Sequence, residues 1–324
     1  MPQGSDTRRA VGAALRSASH VTIASHVDPD GDAIGSCLGL SHALDSLGVP
    51  NAVLLSAGDQ VPATYTFLPG AERMKPPSAE LDPDVFVSLD SPRLGRLAAT
   101  EAIARAARTL IMIDHHPDAA TEGALNHFDS SAAATGAMVW KLLPDLGVRP
   151  NSAISTCLYT ALLTDTGRFS YANTTSETLR LAADMTDAGA HPHDIYTAVY
   201  ENRSASAQQL VGMTLSRVTL ANRGRVAYSW VTDEDLTSLG ARPEEAENLI
   251  DFIRALGGVD AVLLAKVEQT TVRASMRAKS DVDVGGVARA LGGGGHRAAA
   301  GFTHSGDLAS LLDTVLPMLP GGRT

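Results

Sequence analysis

Three short runs of β-branched and aliphatic residues each stop abruptly on histidine or aspartate. Val21-Thr22-Ile23-Ala24-Ser25 stops at His26, and Asp84-Val85-Phe86-Val87-Ser88-Leu89 stops at Asp90. Thr109-Leu110-Ile111-Met112-Ile113 stops at Asp114-His115-His116. Runs this apolar predict strands buried on both faces, as in a parallel sheet. Helical patterns lie between them. From Ala33 to Leu47, the side chains of Ile34, Leu38, Leu44 and Leu47 fall near one face, and Gly48 supplies the residue after the helix end. Strands alternating with helices predict an α/β fold with a mainly parallel sheet flanked by helices. Ligands of such sheets collect beyond the carboxyl ends of the strands, and all three polar terminations fall there.

A length of 324 residues exceeds what one core usually holds. A second, smaller α/β unit is expected after about Asn222. It comprises a strand at Arg225–Thr232, an amphipathic helix at Glu244–Leu256 stopped by Gly257-Gly258, strands at Val259–Val267 and Thr271–Met276, a Gly-rich turn, and a helix near Asp307–Leu316. The stretch before it has helical composition and few turn signals. The expected division is therefore residues 1–188, a helical linker at 189–221, and residues 222–324.

The net charge of −10 argues against a protein that holds long duplex nucleic acid through an overall basic field. A small anion remains admissible, because bound divalent cations invert the local sign. The two cysteines, Cys37 and Cys157, sit in apolar helical contexts and read as buried packing residues. No apolar run reaches the length of a membrane span. Arg8-Arg9 precedes a stretch too short for a signal, interrupted by Arg16, so the cytoplasm is the expected setting.

The segment His26-Val27-Asp28-Pro29-Asp30-Gly31-Asp32 places one imidazole and three carboxylates in one loop after a strand. Clustered carboxylates repel unless a cation or shared proton relieves them. Imidazole with carboxylate suits manganese, iron, zinc or magnesium. A calcium loop is the alternative, but the acidic residue that closes an EF-hand loop is missing, since Gly39 stands there. A plain acidic turn is a further alternative. Asp90 and Asp114-His115-His116, on the same expected edge, strengthen the metal reading. Asp165, in Leu162-Leu163-Thr164-Asp165-Thr166-Gly167-Arg168-Phe169, fits either an additional ligand or an ordinary helix end.

The other conspicuous segment is Leu291-Gly292-Gly293-Gly294-Gly295-His296-Arg297. Four glycines let N–H groups converge on an anion, with His296 and Arg297 as added donors. Neither a Walker loop nor a dinucleotide fingerprint is present. Arg273, Ser275 and Arg277 alternate along a neighbouring strand and so share a face.

Taken in order, HVDPDGDAIGS at 26–36, VSLDSP around Asp90, DHH at 114–116, LLTDTGRF ending at Phe169 and GGGGHRAAAGF at 292–302 resemble the DHH phosphoesterase family, in the subfamily that carries a DHHA1 domain. The nano-RNase and 3′-phosphoadenosine 5′-phosphate phosphatase type is the most similar, and the resemblance spans nearly the whole chain. It implies an N-terminal DHH catalytic domain and a C-terminal DHHA1 substrate-binding domain. It also implies two divalent cations, usually manganese. His26, Asp30 and Asp90 would hold one, and Asp32, Asp90, His115 and Asp165 the other, with Asp90 bridging. His116 would contact the scissile phosphate or leaving oxygen. Arg277, Gly294, Gly295 and His296 match the family's substrate-phosphate elements, with Ser275 and Arg273 as weaker matches.

The activity so implied is hydrolysis of short oligonucleotides and dinucleotides such as pApA, with cyclic di-AMP as a further candidate. Small nucleotides are then the partners, and a homodimer is the default assembly. The alternatives are a 3′-phosphatase acting mainly on the mononucleotide, and a RecJ-like single-strand exonuclease. The latter needs an extended basic channel that the net charge does not suggest. A nucleotide sensor without turnover is the non-enzyme alternative. Phe169, Tyr171 and Phe302 are the candidates for base stacking.

Overall fold

The computed structural model describes residues 3–58, 60–77, 83–246, 249–279 and 281–322. The chain splits into two compact units, 1–202 and 203–324. The first contains α1 (Gln3–Ser17), β1 (Val21–Ala24), α2 (Gly31–Ser46), β2 (Asn51–Leu54), β3 (Val85–Leu89), α3 (Glu101–Ala106), β4 (Thr109–Asp114), β5 (Leu125–Phe128), α4 (Thr135–Leu146), α5 (Ser152–Asp165), α6 (Ser176–Asp187) and α7 (Pro192–Tyr200). The second contains α8 (Ala205–Ser216), β6 (Thr219–Ala221), β7 (Val226–Thr232), α9 (Asp233–Leu239), α10 (Leu249–Arg254), β8 (Ala261–Val267), β9 (Thr271–Ala278), α11 (Val284–Ala290), β10 (Gly294–His296), β11 (Ala299–Ser305) and α12 (Leu308–Val315).

In the first unit five parallel strands run in the order β2-β1-β3-β4-β5. All three apolar runs are central strands, and β3 is buried along its whole length. The order reverses between β1 and β3, which is where open α/β sheets leave a crevice at the strand ends. The loop beginning at His26 follows β1, and Asp90 follows β3, so the two flank that crevice.

Helix α2 packs closely on α5, and the sequence shows why. Gly31, Gly35 and Gly39 recur every fourth residue along α2, which places them on one helical face. A Cβ on Gly31 would lie 2.5 Å from the Thr164 side chain. One on Gly35 would overlap the Cys157 carbonyl, and one on Gly39 the Leu158 side chain. Missing side chains thus let the two helix backbones approach. The start of α2, with Asp30 and Asp32, comes to lie beside the end of α5, with Asp165.

The second unit is a six-stranded mixed sheet in the order β10-β11-β9-β8-β7-β6, in which β7 and β8 are parallel and the other pairs antiparallel. Two cores cover its faces, one around Met276, Phe302 and Val315, the other around Leu210, Ile250 and Leu264. The helix expected at Glu244–Leu256 is shorter in the structure. Pro243–Ala246 forms a 3₁₀ turn, α10 spans Leu249–Arg254, and residues 247–248 lie outside the described residues. The helices α7 and α8, within the stretch expected to link the units, belong to the first and second unit respectively. No helix among the described residues is long and apolar enough to cross a membrane.

Candidate active site

The strand-end residues of the first unit converge. One ligand atom from each of His26, Asp30 and Asp90 lies within 4.8 Å of the others, and the same holds for Asp32, Asp90 and His115. Asp90 belongs to both sets. His26 Nε2 stands 3.5 Å from Asp90 Oδ2, and His115 Nε2 stands 3.5 Å from Asp90 Oδ1. His115 Nε2 is also 3.7 Å from Asp32 Oδ2 and 3.6 Å from Asp165 Oδ2.

Local structure fixes each group. Asp30 is the N-cap of α2, and its Oδ1 accepts the Asp32 and Ala33 N–H groups at 3.0 Å each. Asp32, in the first turn, is 1% exposed. Asp90 leaves β3 with φ of 52°, the left-handed region that a short polar side chain tolerates better than most. His26 Nδ1 donates to the Val27 carbonyl at 2.6 Å, which leaves Nε2 as the atom facing Asp90. His116 Nδ1 pairs with Asp114 Oδ1 at 3.0 Å, and the His116 N–H donates to the same oxygen at 2.6 Å.

The electrostatics show an excess of negative charge. Burial raises Asp32 well above the usual carboxylate range, and Asp90, Asp165 and Asp30 push it further. Burial likewise raises Asp165 to about 7, helped by Asp90 and Asp30 and opposed by His115. Burial disfavours charge on His26 and His116, yet both are pushed up to about 9. For His26 the hydrogen bond to Asp90 and the fields of Asp30 and Asp90 outweigh burial; for His116, Asp114 and Asp90 do. His115 is raised in the same way, mainly by Asp165 and Asp90 against its burial. Asp90 stays ionised against its own burial, held low by the three imidazoles. Protonated rings here do the work that cations bound among the carboxylates would do. The donor set of carboxylate oxygens and imidazole nitrogens fits divalent cations of the manganese or magnesium kind.

Several residues around the cluster escaped the sequence reading. Thr135 and Gly136, at the start of α4, donate their N–H groups to Asp32 Oδ2 at 2.7 Å and Oδ1 at 2.8 Å. Ser36 Oγ donates to Asp32 Oδ1 at 2.9 Å, and Thr135 Oγ1 to Asp90 Oδ1 at 3.0 Å. Asn173 Nδ2 donates to the carbonyls of Ala133 and Asp165, at 3.0 and 3.1 Å. No spacing in the sequence links position 135 to position 32. Asp114 was visible as part of DHH, but its hold on His116 was not.

In the second unit the glycine-rich segment is not an open loop. Gly294–His296 forms β10 and pairs with β11. Register places Gly294 opposite Gly301, which in turn faces Ser275, and His296 opposite Ala299, which faces Arg277. Residues paired across strands share a face, so Ser275, Arg277, Gly294 and His296 lie on one side of the sheet, together with Arg273. Gly295, with φ of 127°, pairs with Ala300 and turns to the opposite side. A Cβ on Gly293 would overlap the Gly301 carbonyl, so this glycine serves close backbone packing. Arg277 Nη1 donates to the Met276 carbonyl at 3.1 Å, and its buried Nε lies 4.0 Å from Asp251 Oδ1, beyond hydrogen-bond distance.

The three aromatic candidates are packed within their own units. Phe169 meets Tyr159 edge-to-face at 6.0 Å and packs on the main core. The Tyr171 ring lies against Gly167. Phe302 is 7% exposed in the second unit's core.

Residues 20–163 match the N-terminal domain of the DHH family, and residues 223–318 match the DHHA1 domain. The chain is 37% identical over 299 residues to the bifunctional oligoribonuclease and PAP phosphatase NrnA of Thermus thermophilus, an alignment covering 91% of this chain and 88% of that protein. The chain belongs to the DHH family. As a DHH protein it is also 27% identical over 279 residues to the enzyme of the same name from Bacillus subtilis, covering 85% of this chain and 86% of that one. Its fold is that of an exopolyphosphatase-related protein from Bacteroides fragilis, with a TM-score of 0.87 at 24% identity over 96% of this chain and 94% of that one. The α/β architecture expected from the sequence, with a DHH domain followed by a DHHA1 domain, is the one observed.

Proposed function

We propose that this chain is a metal-dependent phosphoesterase that hydrolyses short oligonucleotides and linear dinucleotides to mononucleotides and also removes the 3′-phosphate of PAP. The observation that carries the reading is the sharing of buried Asp90 between two adjoining donor sets, one wholly buried and the other opening to solvent at Asp30. The relatives named as oligoribonuclease and PAP phosphatase support the substrate class. Cyclic di-AMP is a further candidate substrate.

In this reading His26, Asp30 and Asp90 hold one divalent cation, and Asp32, Asp90, His115 and Asp165 hold a second, manganese being our choice. Such a pair supplies Lewis acidity and makes a water acidic enough to attack phosphorus near neutral pH. The protein's own part is positional. Asp90 orients both donor sets from a backbone conformation set by the end of β3. Asp114 holds Nδ1 of His116, so Nε2 is the atom that stabilises or protonates the leaving oxygen. In the second unit we assign a phosphate of the nucleotide to Arg277, Ser275, Gly294 and His296, which share one face of the sheet, with Gly295 contributing through its backbone.

We also infer a homodimer in solution, which sedimentation would test, and a cytoplasmic setting, in keeping with the free thiols of Cys37 and Cys157. The deciding experiment is product analysis on PAP, pApA, cyclic di-AMP and a five-nucleotide RNA, side by side, with and without Mn²⁺. Turnover that survives metal removal, or that survives Asp90→Ala with Mn²⁺ present, would refute the mechanism. A product pattern confined to PAP would narrow it to the phosphatase.

A further inference from the structure

We propose that Thr135 is a positioning residue for the cations of the first unit, setting the Asp32 and Asp90 carboxylates in a fixed mutual orientation before any ion binds. The inference rests on the two-cation reading above. Asp32 and Asp90 come from different elements and repel each other, so neither stays in place on its own account. Thr135 donates a hydrogen bond to each. The Thr135 N–H donates to Asp32 Oδ2 at 2.7 Å, and its Oγ1 donates to Asp90 Oδ1 at 3.0 Å. Thr135 is fully buried, and Asp90 is 2% exposed, so water does not compete for either bond.

The start of α4 shows what has been given up for this arrangement. Its N-cap is Ala134, which offers no side chain to the free N–H groups of the first turn. Helices ordinarily place Ser, Thr, Asp or Asn there. Here a carboxylate more than a hundred residues away in the chain, Asp32, takes over the capping, accepting the Thr135 and Gly136 N–H groups on its two oxygens. The helix is thereby tied to the metal pocket. Asn173 braces the other end of the bracket, since its amide donates to Ala133, just before α4, and to Asp165, at the end of α5. Two of the four carboxylates proposed as ligands are thus held from one turn of α4, and the main chain that carries a third, Asp165, is tied to the same region through Asn173. Each donor also occupies a defined lone pair, which leaves the remaining ones directed at the ion.

The test is calorimetric titration of Mn²⁺ into metal-free full-length protein, with melting temperatures of the metal-free forms as the folding control. Thr135→Val keeps the shape and the N–H but removes the Oγ1 donor. It is expected to weaken Mn²⁺ binding by about tenfold or more, as loss of a group that orients a ligand typically does. The Mn²⁺ concentration for half-maximal hydrolysis of pApA should rise in parallel. Thr135→Ser, which restores the hydroxyl, should bind Mn²⁺ close to the wild-type affinity, which a purely steric role for Thr135 does not predict. If the valine variant does not fold, Thr135→Ala takes its place with the same expectations. Wild-type affinity in a folded Val or Ala variant overturns the role of Thr135 and leaves the two-cation reading intact. A wild-type protein that takes up no Mn²⁺ overturns both.

Discussion

His116 and Asp114 illustrate how much chemistry depends on single atoms. The Asp114 carboxylate is wholly buried, and one of its oxygens holds His116 Nδ1. In the proposed mechanism, His116→Asn should lower kcat by about 10²-fold or more, the usual loss when a positioned proton donor is removed. Asp114→Asn should lower kcat by about tenfold, because its amide side chain can present N–H to the ring and so favour the wrong tautomer. Steady-state kinetics at saturating Mn²⁺ check both, and an unchanged kcat in His116→Asn would remove it from the chemistry.

The raised histidines and carboxylates also set a pH dependence for the metal-free protein. His26 and His116 have folded values near 9 against an ordinary value of about 6.5. Their contribution to stability is complete below the ordinary value and is lost as pH rises through 9. Asp165, raised to about 7, acts in the same direction, its contribution fading as pH climbs through 7. The metal-free melting temperature should therefore fall between pH 6 and 9.5. Since ions bound at His26 and Asp165 would displace the protons of those two groups, the rise in melting temperature caused by Mn²⁺ should grow over the same range. Paired thermal melts at both ends of the range measure this, and a pH-independent increment would count against ions bound at these groups.

Among the elements, the pairing of α2 with α5 decides whether the pocket exists. Gly35 lies against the Cys157 carbonyl with no room for a methyl group. Gly35→Ala should cost about 1–3 kcal/mol by overpacking, read from urea unfolding of the metal-free protein. It should also weaken Mn²⁺ binding, because prising the helices apart moves Asp165 away from Asp32. The same change at Gly48, where no atom lies within 4 Å of a Cβ but φ is 69°, should leave metal binding intact. The glycine spacing was legible in the sequence, whereas its partner helix was not. Four-residue periodicity identifies a face but not what the face meets.

For the whole molecule, the proposed division of labour between the two units predicts a division in the kinetics. Each unit has its own sheet and its own core. Variants of the first unit's cluster should lose kcat and metal affinity together. Arg277→Gln, in the second unit, should instead raise KM by about tenfold or more while Mn²⁺ affinity is retained, since a charge-assisted contact to phosphate is lost and the metal ligands are untouched. Initial rates over a range of pApA concentrations, alongside the Mn²⁺ titration, separate the two effects. A loss of Mn²⁺ affinity in Arg277→Gln would contradict the division.

The central strands, the helix after β1 and the cluster itself were legible in the sequence because they depend on local pattern. An apolar run needs burial on both faces, and a carboxylate and an imidazole at its end have a crevice to occupy. The edge strands β2 and β5 went unseen, as did the conversion of Gly294–His296 from loop to strand, because short strands take their identity from a neighbour's hydrogen bonds. Tertiary structure alone brought Thr135 and Gly136 to the carboxylates and Asn173 to the Asp165 backbone, and it turned Phe169 and Phe302 inward. Which residue types this protein needs is written along the chain. Which distant backbone group caps Asp32 is a matter of close packing between α2, α4 and α5, and that depends on shape in three dimensions, which no periodicity in one dimension encodes.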